Sequence, residues 1–397
     1  MGIHGLSKLI ADHAPGATKE GKFENYFGRK IAIDATMSIY QFLVAVRQEE
    51  NSLTNAEGVV TSHLNGMFYR TIKMIDAGIK PVYVFDGKPP TMKGGELAKR
   101  QARAAEAHSE LAKAKESGDQ ELIEKFSKRT VRASRQQSED CKKLLTLMGV
   151  PVIDAPCEAE STCAALAMAG KVFAVGTEDM DALTFGSTVM LRHLTYADAK
   201  KVPPMEYRLA DVLSGLELTM DQFIDVCILC GCDYTDKIKG VGPETALKKV
   251  REYGSLAGLL ASSDKLNAED KVPQSLRDNY QEVQRLFTHP DVIDAPNTEL
   301  KWSDPDVEGV VAFMVTEMGF DEKRIRSGLE KLQKAKGKGN QGRIESFFKA
   351  QPPPAGAAGA KRKEAPGAKG KGGAAGKGAA AKKSNTGAKP GPKGKGK

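Results

Sequence analysis

The sequence predicts an α/β fold in which helices flank a central, mostly parallel sheet. Short apolar runs typical of buried strands occur at Ile31–Ile33, Val82–Phe85 and Val172–Val175, and helix-forming segments lie between them. Each run leads into aspartate residues. Because open α/β sheets place their ligands at the carboxyl ends of the strands, we expect a functional site at that edge of the sheet.

Composition indicates an intracellular protein of two or three domains with a basic tail. The 397 residues carry a net charge of +8, but residues 351–397 contribute +11, which leaves −3 for residues 1–350. Six cysteines lie mostly in apolar helical stretches, as reduced core residues do. A zinc site at Cys227-x-x-Cys230 with Cys232 is disfavoured because no second ligand pair is nearby. No apolar run has transmembrane length.

Two pairs of acids bracket a compact helix–strand unit. We place Glu158 and Glu160 in the first turn of a helix, and Asp179 and Asp181 on extended backbone just past a strand, where both side chains point to one side. Three further aspartates follow apolar runs that could share the same sheet; the run Val226–Leu229 precedes the last of them. These aspartates are Asp34, Asp86 and Asp233.

Seven carboxylates at one edge of a sheet indicate a metal site. The alternative is that they are solvated loop acids, but two like charges 4 Å apart repel by about 4 kcal/mol at an effective dielectric near 20. Cations between the carboxylates would relieve that repulsion. No His or Cys is adjacent to Asp34, Asp86, Asp179 or Asp181, and a ligand set of oxygens favours Mg²⁺ or Mn²⁺ over zinc.

A charged, alanine-rich segment from Gly87 to about Arg135 predicts exposed helices, broken at residues 117–119. Lys93 and Arg100 are two helical turns apart, so they share one face. A basic helical segment directly after an acidic edge of the sheet is typical of a protein that binds a flexible, phosphate-bearing nucleic-acid strand. The alternative is that these basic residues only form a solvated surface. For the second basic set, phosphate binding and a solvated surface are equally favoured. That set is Lys128, Arg129, Arg132 and Arg135.

Gly240-Val241-Gly242 precedes a helix at Thr245, which indicates a helix–hairpin–helix. Backbone amides and a helix N-terminus in such an element hold a phosphodiester without reading bases. Tyr40 lies on an amphipathic helix, where it either packs in the core or stacks on a base.

A short box near the carboxyl end predicts a docking segment. Its spacing, Q-x-x-I-x-x-F-F, puts apolar side chains on one side of a helical turn in an otherwise polar setting. The tail that follows is low-complexity, and its Lys361-Arg362-Lys363 is either a nuclear-localisation patch or a polyanion-binding one. The docking box consists of Gln341, Ile344, Phe347 and Phe348.

Residues 1–350 resemble the eukaryotic flap-endonuclease branch of the xeroderma pigmentosum group G family of 5′ structure-specific nucleases. The motifs that carry the resemblance are G-I-H-G-L at 2–6, A-I-D-A at 32–35, V-F-D-G-K-P-P at 84–90, E-A-E at 158–160, T-E-D-M-D at 177–181, G-C-D-Y at 231–234 and the docking box. The resemblance implies a PIN-like fold with a helical arch and a helix-two-turn-helix element. Cys232 departs from the serine that the family often has, and the tail after Ala350 matches only in basic character.

The resemblance also implies a chemistry. Two Mg²⁺ ions, replaceable by Mn²⁺, are held by the seven acids; Lys93 and Arg100 contact the scissile phosphate; and Tyr40 stacks on the neighbouring base. The helix-two-turn-helix holds K⁺, and the docking box binds the sliding clamp, proliferating cell nuclear antigen. The implied activity is cleavage of 5′ flaps, with 5′–3′ exonuclease activity, in Okazaki fragment maturation and long-patch base excision repair.

We therefore predict a monomeric enzyme that acts on branched double-stranded DNA with a 5′ flap and has no membrane partner. Its predicted location is the nucleus (nucleolus and nucleoplasm), with the mitochondrion as a second location. The rival functions are a non-catalytic clamp-tethered DNA scaffold and a PIN-type ribonuclease. The DNA contacts are predicted at Arg47, Arg70, Tyr40, Glu158, Gly231, Asp233, Gly240 and Gly242. The predicted segments are nuclease regions at 1–106 and 135–255, arch helices at 107–134, a helical part at 256–335, the clamp-binding segment at 336–349 and the tail at 350–397.

Overall fold

A seven-stranded sheet forms the centre of the computed structural model. Its strands are β1 (Thr18–Glu20), β2 (Lys30–Asp34), β3 (Lys80–Phe85), β4 (Val152–Asp154), β5 (Ala174–Gly176), β6 (Val189–Arg192) and β7 (Met205–Arg208). They lie in the order β1-β7-β6-β5-β2-β3-β4. β2 pairs in parallel with β3 and β5, while β4 and β6 extend the parallel part. β7 is antiparallel to both β6 and β1. The prediction of a mostly parallel sheet is confirmed.

The structure describes residues 2–46, 60–194, 202–262 and 271–338. The helices of the amino-terminal half are α1 (Leu6–His13), α2 (Ala35–Val46), α3 (Ser62–Asp76), α4 (Gly94–Ser117), α5 (Gln120–Arg129), α6 (Arg135–Leu147) and α7 (Ala159–Met168). Those that follow are α8 (Asp181–Thr184), α9 (Leu209–Gly215), α10 (Met220–Cys230), α11 (Pro243–Tyr253), α12 (Leu256–Ala261), α13 (Gln274–Thr288), α14 (Val307–Val311) and α15 (Glu322–Lys338). A π-helical turn, Ala312–Glu317, links the last two.

Helices cover both faces of the sheet, which explains why its strands read as continuous apolar runs. Within β2, Ile31 and Ile33 belong to the core that contains α3 and α6 residues, whereas Ala32 belongs to the core that contains α1, α7 and α10 residues. Ala32 is a small side chain facing the alanine-rich α7, so this helix lies close against the strand. The close packing brings the acids at the start of α7 to the carboxyl edge of the sheet.

Two predictions about this edge are wrong. The run Val226–Leu229 lies inside α10, in agreement with the helix that the apolar stripe of residues 219–230 predicts, so Asp233 follows a helix and does not end an element of the sheet. Asp181 is the first residue of α8, preceded by Met180 in helical conformation, so it is not on extended backbone. For Val226–Leu229, a short apolar run does not distinguish a buried strand from a buried helix. For Asp181, the spacing of two acids does not determine the backbone conformation between them.

The predicted break in the basic segment is confirmed. Gly118 ends α4 with a φ of 69°, and the Asp119 side chain accepts a hydrogen bond from the backbone N–H of Leu122 at the start of α5. Left-handed backbone at such a position favours glycine. α4 and α5 therefore form a helical hairpin, and the predicted boundary at residue 106 falls inside α4.

The chain divides into two units, Met1–Ser346 and Phe347–Lys397. The sheet, its covering helices and the hairpin of α4 and α5 all belong to the first unit, whereas the second lies outside the described residues. In the described ranges, no helix is both long and apolar enough to cross a bilayer.

Candidate active site

Two aspartates follow the adjacent parallel strands β2 and β3, and each also caps a helix. Asp34 ends β2, and its Oδ1 accepts a hydrogen bond from the backbone N–H of Met37 in α2 (2.9 Å). Asp86 follows β3, and its Oδ1 accepts from the backbone N–H of Ala159, the first residue of α7 (2.8 Å). These bonds satisfy open helix amides, so the carboxylates are fixed at the carboxyl edge of the sheet.

The turn after β5 brings two more acids to the same edge. The hydroxyl of Thr177 donates to Oδ2 of Asp34 (3.3 Å) and accepts from the backbone N–H of Asp179 (3.1 Å). Oδ1 of Asp179 in turn accepts from the backbone N–H of Asp181 (3.1 Å). A chain of hydrogen bonds therefore links the ends of β2 and β5.

Two of the remaining acids, Glu158 and Asp233, are paired with the two cations of the α4 region. Glu158 directly precedes α7, and one of its oxygens contacts the ammonium of Lys93. Oδ2 of Asp233, in the loop after α10, lies 3.2 Å from the Lys93 ammonium and 2.6 Å from the guanidinium of Arg100. Lys93 and Arg100, which were predicted to share one helical face, both contact Asp233, although Lys93 lies just before α4 and not within it.

Burial and mutual repulsion raise the pKa values of four of the acids. Burial raises the pKa of Asp34 to about 8, and the charge of Asp86 adds to the shift. Lost hydration, followed by repulsion from Asp34, raises the pKa of Glu160 well above its ordinary value. Burial raises the pKa of Asp179, and burial together with Asp179 raises that of Asp181 strongly. These groups interact with one another, so the acids form one electrostatic cluster.

The pKa of Lys93 is raised as well. Burial alone would lower it, but the charges of Glu158 and Asp233 outweigh burial and keep the ammonium protonated. The site therefore contains a cluster of carboxylates and a permanent cation that partly neutralises it.

The donor atoms of this cluster are of the kind that a hard metal ion prefers. Its donors are carboxylate oxygens, and the buried Oδ1 of Asp181 has no hydrogen-bond partner. Within the described residues, no three acidic, His or Cys side chains are close enough to enclose an ion by themselves. The Lys93 ammonium lies between Glu158 and Asp233, which already supplies a positive charge at that point.

Comparison with known proteins identifies the family. Residues 1–107 match the XPG N-terminal domain, and residues 149–233 match the XPG I-region. The chain is 54% identical over 397 residues to flap endonuclease 1 of Xiphophorus maculatus, with 100% of both chains covered. It is 57% identical over 366 residues to flap endonuclease 1 of Zea mays, covering 92% of this chain and 94% of that one. The chain belongs to the flap endonuclease 1 family. It is accordingly a structure-specific flap endonuclease, a nuclease that hydrolyses phosphodiester bonds.

Solved structures of this family share the fold. The chain is similar to flap endonuclease-1 from Methanococcus jannaschii, with a TM-score of 0.64 and 32% identity, covering 83% of this chain and 98% of that one. It is also similar to the catalytic core of Rad2 in complex with a DNA substrate, with a TM-score of 0.65 and 26% identity, covering 83% and 100%. The PIN-like fold predicted from the sequence is thus confirmed.

The structure describes most of the residues predicted to contact DNA. Tyr40 on α2 is 37% exposed, so its ring is accessible for stacking. The guanidinium of Arg70 lies 5.9 Å from the ring centroid of Phe42. No atom would contact a β-carbon at Gly240 or Gly242, which leaves the turn before α11 open to a phosphodiester. Arg47 and the docking box (Gln341, Ile344, Phe347, Phe348) lie outside the described residues.

Sequence reasoning missed three contributors to the site. Thr177 links Asp34 to Asp179, and Tyr234 donates a hydrogen bond from its hydroxyl to Glu158. Gly2 has a φ of 73°, and a β-carbon there would collide with the carboxylates of Asp179 and Asp181. Of the three, only Gly2 had a signal in the sequence, namely a small residue at the start of the chain. Thr177 and Tyr234 could not be assigned a role because the carboxylates that they bind are distant in sequence.

Proposed function

We propose that this flap endonuclease is Mg²⁺-dependent, cleaves 5′ flaps and also acts as a 5′–3′ exonuclease. The observation that supports the proposal is the contact of Lys93 and Arg100 with the acid cluster, since two cations suited to binding a phosphate lie directly beside oxygen donors suited to a hard metal ion. The residues that would hold two Mg²⁺ ions, or Mn²⁺ in their place, are Asp34, Asp86, Glu158, Glu160, Asp179, Asp181 and Asp233.

The chain's own residues have separate roles in the reaction. Bound Mg²⁺ would polarise the phosphoryl group and lower the pKa of the attacking water. Lys93 and Arg100 exchange their carboxylate partners for the scissile phosphate and neutralise the charge that develops on its oxygens. Thr177 and the capped helix ends hold the carboxylates in place before substrate arrives.

Substrate recognition rests on contacts away from the acids. The open turn at Gly240 and Gly242 and the start of α11 bind the backbone of the duplex, with a K⁺ ion in the same helix-two-turn-helix. Tyr40 stacks on the base beside the scissile phosphate. Arg47 and Arg70 contact the backbone further along the branch. Rad2, the structural neighbour, was solved with a DNA substrate.

We further propose that the enzyme is a monomer tethered to the sliding clamp through Gln341, Ile344, Phe347 and Phe348. Its work is in Okazaki fragment maturation and long-patch base excision repair, in the nucleus and the mitochondrion. The basic tail, residues 351–397, adds non-specific attraction to DNA.

One assay tests the proposal against its rivals. Labelled 5′-flap DNA, the matching RNA and blunt duplex are incubated with the full chain, with and without Mg²⁺ or Mn²⁺. We expect rapid cleavage of the flap only when metal is present. Flap binding without cleavage would support a DNA scaffold, and preferential cleavage of the RNA would support a PIN-type ribonuclease.

A further inference from the structure

Tyr234 binds one oxygen of Glu158 while Lys93 binds the other. The tyrosine lies in the loop after α10, next to Asp233, and is only 4% exposed. Its hydroxyl donates to Oε2 of Glu158, whereas the ammonium of Lys93 contacts Oε1. The carboxylate is therefore held from two sides, and its two oxygens have different surroundings.

The tyrosine ring itself is fixed by the core. It meets the ring of Phe287 on α13 edge-on, with centroids 5.2 Å apart and planes at 72°. Phe287 packs in turn on Phe185, with centroids 5.1 Å apart. On its other side, the ammonium of Lys93 lies 6.0 Å from the centroid of the Tyr234 ring. Aromatic packing of this kind leaves the hydroxyl little freedom to turn away from Glu158.

We propose that Tyr234 is a positioning residue: it holds the Oε2 atom of Glu158, so that Oε1, the atom that contacts the ammonium of Lys93 in the metal-free protein, can pass from the ammonium to the metal without the carboxylate turning; this inference rests on the proposed function of Glu158 as a metal ligand. A carboxylate whose second oxygen is held loses less rotational freedom when it binds an ion.

The test is Mg²⁺ binding to the DNA-free full chain, measured by calorimetry for wild type and for Tyr234→Phe. The substitution removes the hydroxyl and keeps the ring. Tyr83→Phe is the matched control, because Tyr83 is fully buried and its hydroxyl bonds Thr71 (2.8 Å) in the core on the opposite face of the sheet. Loss of such an outer partner weakens metal binding by about 10-fold, so we expect that loss for Tyr234→Phe and none for the control.

A double-mutant cycle shows whether Tyr234 acts through Glu158. In a Glu158→Gln background, Tyr234→Phe should weaken Mg²⁺ binding no further, since the carboxylate that it positions has been removed. An independent 10-fold loss in that background would overturn the inference. So would wild-type affinity in Tyr234→Phe, or a Tyr234→Phe protein that fails to fold while Tyr83→Phe folds, because the hydroxyl would then be structural.

Failure of the proposed function is distinguishable in the same measurement. If the wild-type chain bound no Mg²⁺, the metal site and the inference would both be wrong. If the wild type bound Mg²⁺ and both tyrosine variants bound it equally well, only the inference would be wrong.

Discussion

The guanidinium of Arg100 lies 2.6 Å from the Oδ2 atom of Asp233, so a cation of α4 is paired with a carboxylate of the candidate metal site. This pair links the first turns of α4 to the loop after α10. Under the proposed function, the guanidinium would already be beside the position of the scissile phosphate before the substrate binds.

Arg100→Ala should therefore lower the single-turnover cleavage rate more than the affinity for the flap. Loss of one donor to a developing oxyanion costs about 100- to 1,000-fold in rate. Arg326→Ala is the control, since Arg326 is a surface cation paired with Glu308 and Glu322. Quench-flow cleavage and DNA-binding titrations give the two quantities. A rate within a few-fold of wild type would contradict the role assigned to Arg100.

Asp181→Ala should separate binding from chemistry. Its side chain is buried with an unpartnered oxygen and a strongly raised pKa, so removing it relieves repulsion and should leave the metal-free fold intact or slightly more stable. Flap binding in Ca²⁺ should persist, because backbone contacts supply most of the affinity. Cleavage in Mg²⁺ should fall by orders of magnitude. Asp12→Ala, at an exposed position on α1, is the control. Near-normal cleavage by Asp181→Ala would rule out Asp181 as a metal ligand.

Gly2→Ala should reduce cleavage without unfolding the protein. The added methyl group would collide with Asp179 and Asp181, and the φ of 73° at Gly2 disfavours any side chain. Gly16→Ala is the matched control, because no atom lies within 4 Å of a β-carbon there. We expect a clear loss of rate for Gly2→Ala and none for Gly16→Ala, at equal melting temperatures. Equal rates in the two variants would show that the amino terminus does not approach the acids as described.

His63 should make the protein less stable in mild acid. It is buried on α3, 3.7 Å from Asp140, and burial lowers its pKa below the ordinary 6.5. At mildly acidic pH, the imidazole therefore binds a proton more readily in the unfolded chain than in the folded one. The free energy of unfolding is at its full value above the unfolded pKa and decreases as the pH falls below it. Between pH 6.5 and 5.5 the loss of stability should be at most about 1 kcal/mol, which is the limit for one group that gains a proton only on unfolding.

Urea titrations of His63→Gln and of the exposed His108→Gln test this prediction. The first substitution should flatten the acid limb of the stability curve, and the second should leave it unchanged. If His63→Gln kept the wild-type dependence on pH, another group would have to carry it.

Replacing both Phe347 and Phe348 with alanine should abolish stimulation by the sliding clamp while clamp-free cleavage remains intact. The docking box follows the helical body, and its binding energy comes from burying two aromatic rings. Calorimetry with purified clamp and a flap-cleavage assay measure the two effects. Unchanged clamp affinity in the double variant would show that the box is not the binding segment.

Much of the site could be predicted because its acids follow apolar runs. Asp34 and Asp86 each end a strand of the parallel sheet, and strand ends are visible in sequence as the point where apolar residues stop. Glu158 and Glu160 begin α7 as expected. The antiparallel edge formed by β1 and β7 was not foreseen, because Thr18–Glu20 and Met205–Arg208 are short and largely polar.

The hydroxyl groups that bind the acids could not be predicted, because these hydrogen bonds join residues that are distant in sequence. Tyr234 and Glu158 are 76 positions apart, and Thr177 and Asp34 are 143 apart. A hydroxyl has no sequence pattern that reveals which carboxylate it will bind. Such partners are set by the packing of helices on the sheet, which is decided by the whole core and not by local periodicity.

The acids of the cluster are spread from position 34 to position 233, with the sheet order placing β5 beside β2. During synthesis from the amino terminus, the growing chain carries Asp34 and Asp86 long before Asp233 exists. A ribosome that stalls early, or a protease that cuts before α10, therefore releases a piece with an incomplete set of ligands and no α11 turn. We expect such a piece to lack nuclease activity, because it carries neither Asp233 nor the turn before α11.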